Sequence, residues 1–129
     1  MTPAEAAGRT YGPVRFPIES SGVAAFVAAT GDDPSRWAEH APPSFAAAAL
    51  FAVAPSFLGD PDVTVDTRSL IHTEQSFRWL RPLEVGETVR VTGTVAAVRA
   101  RRSLNLVTFD LEAGSWLEGT ATFLMSAEA

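Results

Sequence analysis

The sequence contains two histidines, and histidine is the side chain best suited to proton transfer near neutral pH. His40 precedes the rigid segment Ala41-Pro42-Pro43, and His72 lies in an alternating run typical of a strand, on the face opposite Phe77. Either histidine could serve as a general base. Each also has a structural interpretation, which we favour: His40 as a surface loop residue and His72 as a strand residue paired with a neighbour.

A second chemical feature is a group of arginines. Arg99, Arg101 and Arg102 fall between two predicted strands. Guanidinium groups form bidentate hydrogen bonds with phosphate oxygens, so this cluster could contact a phosphate-bearing ligand. The alternative interpretation is a solvated turn.

The composition limits the possible classes of protein. The 129 residues suit one domain, with a core expected over residues 11–126. The absence of cysteine excludes disulfides and cysteine-ligated metals, and a net charge of −5 disfavours nucleic-acid binding. The N-terminus has no signal-peptide pattern, and prolines interrupt the apolar stretch at residues 41–58. We therefore expect a cytoplasmic protein without membrane contact.

Helical patterns occupy the N-terminal half. Apolar residues recur at helical spacing over residues 20–31. A second helix without charged residues is predicted over residues 45–54, capped by Ser44 and ended by Pro55. A helix that is apolar all round must be buried all round, so a sheet is expected to wrap around it.

Strand patterns occupy the C-terminal half, preceded by a short candidate edge strand near the N-terminus. The candidate strands cover residues 14–18, 67–80, 88–98, 104–111 and 116–125. In the fourth, the apolar parity switches between Leu106 and Val107, which predicts a bulge or two covered faces. Helices followed by an antiparallel meander predict an α+β fold.

Two stretches resemble a known family. Residues 28–45 include Thr-Gly-Asp-Asp-Pro-Ser-Arg-Trp and Ala-Pro-Pro-Ser-Phe, and residues 71–87 include His-Thr-Glu-Gln-Ser-Phe and Arg-Pro-Leu-Glu-Val-Gly. From Tyr11 to Ser126 the chain resembles the MaoC-like dehydratases and hydratases, most of all the FAS1-like, HadA-type N-terminal subfamily. The resemblance implies the hot-dog fold, a long central apolar helix wrapped by a curved antiparallel sheet.

The resemblance also implies a place for the chemistry. Active members carry an aspartate, an Asn-Pro pair and, five residues after the aspartate, a histidine, and the aspartate and histidine hold the water that adds to an enoyl thioester. Asp32 matches the aspartate, although a helix-ending turn is its competing interpretation. Asp33-Pro34 replaces the Asn-Pro pair one residue short of the family spacing. Arg36 and Trp37 stand in place of the histidine, and arginine cannot act as a base near pH 7.

Substrate-binding residues are implied near the start of the central helix, where a backbone amide polarises the thioester carbonyl. The binding residues expected from the resemblance are Trp37, Pro43, Ser44, Phe45 and Phe77. The aromatic candidates for lining an acyl tunnel are Phe45, Phe51, Phe57, Phe77 and Trp79. The arginine cluster would contact the phosphates of coenzyme A or of an acyl-carrier protein, and no metal or cofactor is implied.

These observations predict a subunit of an (R)-specific enoyl-thioester hydratase or 3-hydroxyacyl-thioester dehydratase. Because the histidine of the motif is replaced, we expect the chain to be the acyl-binding half, paired with a MaoC-type catalytic partner. Two alternatives stay open. One is a homodimeric hydratase that uses Asp32, His40 or His72 in an altered site, and the other is a non-enzymatic module that binds acyl thioesters.

Overall fold

A five-stranded antiparallel sheet forms the frame of the computed structural model, which describes residues 1–126. Its strands are β1 (Thr10–Pro17), β2 (Ile71–Trp79), β3 (Thr88–Arg101), β4 (Leu104–Ala113) and β5 (Leu117–Ser126). Their spatial order is β1-β3-β4-β5-β2, so the meander β3-β4-β5 lies in the centre and β1 and β2 form the two edges. The predicted α+β class and the hot-dog arrangement are confirmed.

The predicted central helix is present, but it is neither long nor continuous. It is a run of four short helices: a 3-10 helix (Pro43–Phe45), α2 (Ala46–Leu50), a second 3-10 helix (Phe51–Val53) and α3 (Ala54–Leu58). The preceding helix is α1 (Ser20–Ala29), as predicted. Within residues 1–126, no helix is long and apolar enough to cross a membrane.

Pro55 explains the interruption. The prediction that Pro55 ends the helix was wrong, because Pro55 lies in the first turn of α3, where its missing N–H is tolerated. Pro55 cannot donate to the carbonyl of Phe51, and the N–H of Ala54 donates to it instead, which tightens this turn to 3-10 geometry. The expected cap was also wrong, since Ser44 lies inside the first 3-10 helix and Pro42 precedes it without a side-chain cap.

The central helices pack closely on the inner face of the sheet because strand glycines make room. A Cβ at Gly93 would lie 3.1 Å from both Val53 and Leu111, and a Cβ at Gly119 would lie 3.0 Å from Leu50. Leu50 is completely buried at this contact. A side chain at Gly93 would press on Val53 of the second 3-10 helix, whereas a side chain at Gly119 would first collide with the backbone carbonyl of Ser76 on β2.

The parity switch in β4 has a different cause from the predicted bulge. The register between β4 and β5 is unbroken from Leu104 to Ala113. Asn105 occupies an inward position with 2% exposure, whereas Leu104 remains exposed. The irregularity lies on the neighbouring strand, in β3 between Val95 and Ala97.

Candidate functional site

The turn after α1 holds the residue that matched the family's aspartate. Asp33 begins a 3-10 helix (Pro34–Trp37), and its carboxylate accepts hydrogen bonds from the N–H and hydroxyl of Ser35. The indole Nε1 of Trp37 donates to Oδ2 of Asp32 over 3.0 Å. Oδ1 of Asp32 accepts from the N–H of Asp33 at 2.7 Å and from Arg36 at 3.2 Å.

These contacts occupy both oxygens of Asp32. The hydrogen bond from Trp37, followed by the one from the N–H of Asp33, lowers the pKa of Asp32 below its usual value. An indole nitrogen donates one hydrogen bond and has no free electron pair with which to accept a proton. These contacts hold the turn together, and Trp37 cannot act as a general base.

A surface groove lies beside this turn, at the start of the central helices. It brings together Trp37, His40, Pro43 and Trp79. The indole Nε1 of Trp79 donates to the carbonyl of Pro43 over 2.9 Å, which ties the end of β2 to the first 3-10 helix. His40 forms an isolated backbone bridge with Glu84, and its side chain is exposed.

The other expected binding residues lie outside this groove. Ser44 is exposed beside it. The ring of Phe45 is buried against Phe16 and Phe26, at centroid distances of 5.9 and 5.3 Å. Phe77 packs against Trp79 at 5.5 Å. Their roles in substrate binding stay predictions.

A second feature is an apolar cavity of about 210 Å³ between the central helices and the inner face of the sheet. Its lining residues are Tyr11, Leu50, Phe51, Val53, Ala54, Phe57, Leu58, Leu70, Gly93, Phe109, Leu111, Phe123 and Met125. We expected one or two of the five aromatic candidates to line a ligand cavity and the others to be core; Phe51 and Phe57 line this cavity, and its role as an acyl tunnel stays a prediction. The remaining lining residues could not be predicted from the sequence, because the cavity depends on how the interrupted helix packs on the sheet.

His72 lies at the rim of this cavity. Its ring stacks on Phe123 at 4.7 Å and meets Phe51 edge-on at 5.2 Å. Nε2 of His72 lies 3.1 Å from Oε1 of Gln75. From strict alternation, we predicted that His72 lies on the face opposite Phe77. This prediction was wrong, because the register shifts between His72 and Glu74 and turns His72 inward.

His72 lies far from the groove that contains Trp37 and His40. His72 and Trp79 stand near opposite ends of β2, which separates them by roughly 23 Å at about 3.3 Å per residue. Within one chain, His72 therefore cannot act together with Asp32 or His40. Among residues 1–126, no group of three or more acidic or histidine side chains is placed to hold a metal ion.

The arginine cluster lies on the hairpin between β3 and β4. Arg99 and Arg101 are exposed and pair across the ladder with Leu106 and Leu104. Arg102 has a φ of 56°, an uncommon backbone conformation for a residue other than glycine, in the tight turn that follows. The cluster is open to solvent, and its contact with phosphate stays a prediction.

A run of helices enclosed by a curved antiparallel sheet defines a hot-dog protein. The comparison with protein families matches residues 5–114 to the FAS1-like dehydratase domain region. The chain belongs to this family.

The similar curated proteins are bacterial UPF0336 proteins. One from Cutibacterium acnes is 34% identical over 77 residues, which are 60% of this chain and 51% of that protein. Another from Streptomyces griseus is 27% identical over 113 residues, 78% of this chain and 75% of that protein. The chain thus spans about half the length of the first of these relatives.

Solved structures share the fold. The HadBC 3R-hydroxyacyl-ACP dehydratase complex of Mycobacterium tuberculosis aligns with a TM-score of 0.73 at 16% identity, covering 92% of this chain and 96% of that chain. HtdX of the same organism aligns with a TM-score of 0.70 at 26% identity, covering 92% of this chain and 51% of that chain.

Proposed function

We propose that this chain is the acyl-binding, non-catalytic half of an (R)-specific enoyl-thioester hydratase or 3-hydroxyacyl-thioester dehydratase. The observation that carries the proposal is the hydrogen bond from Trp37 to Asp32. Trp37 stands five residues after Asp32, at the position where active members of the family have their histidine. Unlike histidine, its indole nitrogen can only donate a hydrogen bond.

The reaction explains why this replacement matters. Hydration adds the hydroxyl of water to the β-carbon of the enoyl thioester and a proton to the α-carbon, and dehydration reverses both steps. A base must take one proton from the water while an acid supplies the α-proton. Asp32 is engaged by Trp37 and Arg36, so we assign the acid–base pair to the partner.

The partner would join along β2. Among residues 1–126, β2 pairs with β5 alone, so its outer edge is free to extend the sheet into a second hot-dog domain. Trp79 and Leu80 at the end of this strand are 45% and 46% exposed, as expected for apolar residues that a partner covers. HadBC is a complex, and HtdX is about twice as long as the segment matched here, which supports a two-part assembly.

The ligand would be an acyl thioester on coenzyme A or on an acyl-carrier protein in the cytoplasm. The thioester would lie in the groove at Trp37, Pro43 and Trp79, near the site that the partner completes. The cavity has an entirely apolar lining and shares no residue with the groove, so it would take only the end of a long acyl tail, because its rim at His72 is roughly 23 Å from Trp79. Arg99, Arg101 and Arg102 would meet the phosphates of the carrier.

Reconstitution tests the proposal. This chain is coexpressed with each hot-dog protein of its source organism that carries the Asp and His pair, and the purified products are assayed with trans-2-enoyl-CoA. We expect one stable heterodimer whose activity disappears when the partner's histidine is replaced by alanine, but not when His40→Ala or His72→Ala is made here. Failure to associate with every such protein would contradict the proposal.

A further inference from the structure

The imidazole of His72 is fixed in one tautomer at the rim of the apolar cavity. Its ring and the side chain of Gln75 face the inner side of the sheet, opposite Phe123 and Ala121 on β5. The side-chain amide of Gln75 donates to the carbonyl of Ser76 over 2.9 Å, which leaves Oε1 of Gln75 to face Nε2 of His72 at 3.1 Å. Because Oε1 only accepts hydrogen bonds, the proton of the neutral imidazole is on Nε2, and Nδ1 has the free electron pair.

Nδ1 of His72 is available to a ligand. Among residues 1–126, the ring forms a hydrogen bond with Gln75 through Nε2, and Nδ1 has no protein partner. The side chain of His72 is exposed, and its ring contacts the half-buried rings of Phe51 and Phe123 at centroid distances of 5.2 and 4.7 Å. Both phenylalanines line the cavity. The cavity therefore reaches solvent next to a hydrogen-bond acceptor that no protein group occupies.

The interior of the cavity offers apolar contacts only. Among the side chains that line it, the single hydroxyl is that of Tyr11, which donates to Oδ2 of Asp60 over 2.7 Å. Ala54 and Leu58 on α3 are half-buried, so the cavity is accessible from that side as well. The aromatic rings in the lining are those of Tyr11, Phe51, Phe57, Phe109 and Phe123. A ligand that fills this space finds a protein partner for a polar group only at the rim beside His72.

We infer that the cavity is a binding site for a small aromatic molecule with one hydroxyl group, whose ring lies in the cavity and whose hydroxyl donates to Nδ1 of His72. This site goes beyond the proposed function, since it requires neither the groove nor a partner. An apolar cavity of about 150 Å³ holds benzene, so one of about 210 Å³ suits roughly eight non-hydrogen atoms, the size of a methylphenol. Aromatic walls favour a ring, and a carboxylate, which only accepts hydrogen bonds, does not match Nδ1.

Calorimetric titration of the full chain with p-cresol and with toluene tests the inference. The two probes share the ring and the methyl group and differ only in the hydroxyl. We expect p-cresol to bind about fivefold more tightly than toluene, the gain typical of one additional hydrogen bond. His72→Phe keeps a ring between Phe51 and Phe123 but removes the acceptor, so this preference should disappear while the affinity for toluene is unchanged.

A second variant tests the location of the ring. Ala54→Leu narrows the cavity and should weaken both probes by at least about tenfold, whereas Ala52→Leu, at a residue outside the lining, should weaken neither. Absence of binding by either probe, or equal affinities in Ala54→Leu and wild type, would overturn the site.

The role of His72 has its own contradicting result. Equal affinities for the two probes in the wild type, or a preference for p-cresol that survives in His72→Phe, would overturn the hydrogen bond to Nδ1. Circular dichroism checks the fold of each variant, and His72→Leu replaces His72→Phe if that variant does not fold. None of these outcomes depends on the acyl-binding role, which the reconstitution experiment tests separately.

Discussion

The indole nitrogen of Trp37 lies 3.0 Å from Oδ2 of Asp32 and donates a hydrogen bond to it. In a hydratase of this family, that aspartate and a histidine at the position of Trp37 would share the catalytic water. Here Trp37 can only donate a hydrogen bond, and Asp32 also accepts one from Arg36 at 3.2 Å. The position of Trp37 therefore has no group that can accept a proton.

Removing this contact should affect stability more than catalysis. In the reconstituted complex, Asp32→Asn and Trp37→Phe should each keep kcat within about twofold, because a true acid–base residue contributes roughly 10²–10⁴-fold. Both variants should lower the midpoint of thermal unfolding, since each removes part of the turn that follows α1. A fall in kcat of about a hundredfold for Asp32→Asn would assign catalysis to this chain.

The exposed end of β2 should govern association with the partner. Leu80→Asp is expected to weaken the heterodimer by at least about tenfold, because a carboxylate would be buried in the joint. Leu104→Asp is the matched control, since Leu104 is also exposed but lies on β4, away from the free edge. Analytical ultracentrifugation measures both dissociation constants, and equal effects would place the interface elsewhere.

The apolar cavity should be blocked by a larger side chain at Ala54. Ala54 lines the cavity, and Ala54→Leu should lower the affinity for a long-chain ester such as octadecanoyl-CoA by at least about tenfold, because its added atoms occupy the volume of about three methylenes. Ala52→Leu makes the same change on the preceding 3-10 helix at a residue that does not line the cavity. Unchanged affinity in Ala54→Leu would show that the tail binds at another site.

Tyr11 is the only tyrosine, so the phenolate absorbance near 295 nm reports on this residue alone. Burial, followed by the hydrogen bond to Asp60, raises its pKa from 10.0 to about 12. Because the folded chain holds this proton more tightly than the unfolded chain, the associated stability is present below pH 10 and is lost as the pH rises toward 12. A titration midpoint of Tyr11 near pH 10 in the folded protein would contradict its burial and its hydrogen bond to Asp60.

Much of the fold could be predicted from the sequence because it depends on local pattern. The alternation in β3 and β5 and the absence of charge at residues 45–54 were enough to predict a meander around a buried helix. The prediction at Pro55 was wrong because proline can either end a helix or begin one. Which of the two occurs depends on whether another N–H donates to the carbonyl of Phe51.

The site was less predictable for a physical reason. The loss of the histidine at Trp37 could be seen directly, but its hydrogen bond to Asp32 depends on the turn geometry. The inward turn of His72 depends on a register shift that breaks the period of two, and nothing in the residue types indicates it. The cavity likewise arises from long-range packing.

The most direct test of the account is hydration of trans-2-enoyl-CoA by the purified chain alone, followed by loss of the conjugated enoyl absorbance. Circular dichroism first confirms that the sample is folded. We expect no turnover above the uncatalysed rate until an Asp- and His-bearing hot-dog partner is added. Turnover by the chain alone that is lost in His40→Ala, His72→Ala or Asp32→Asn would contradict it and establish a homodimeric hydratase with an altered site.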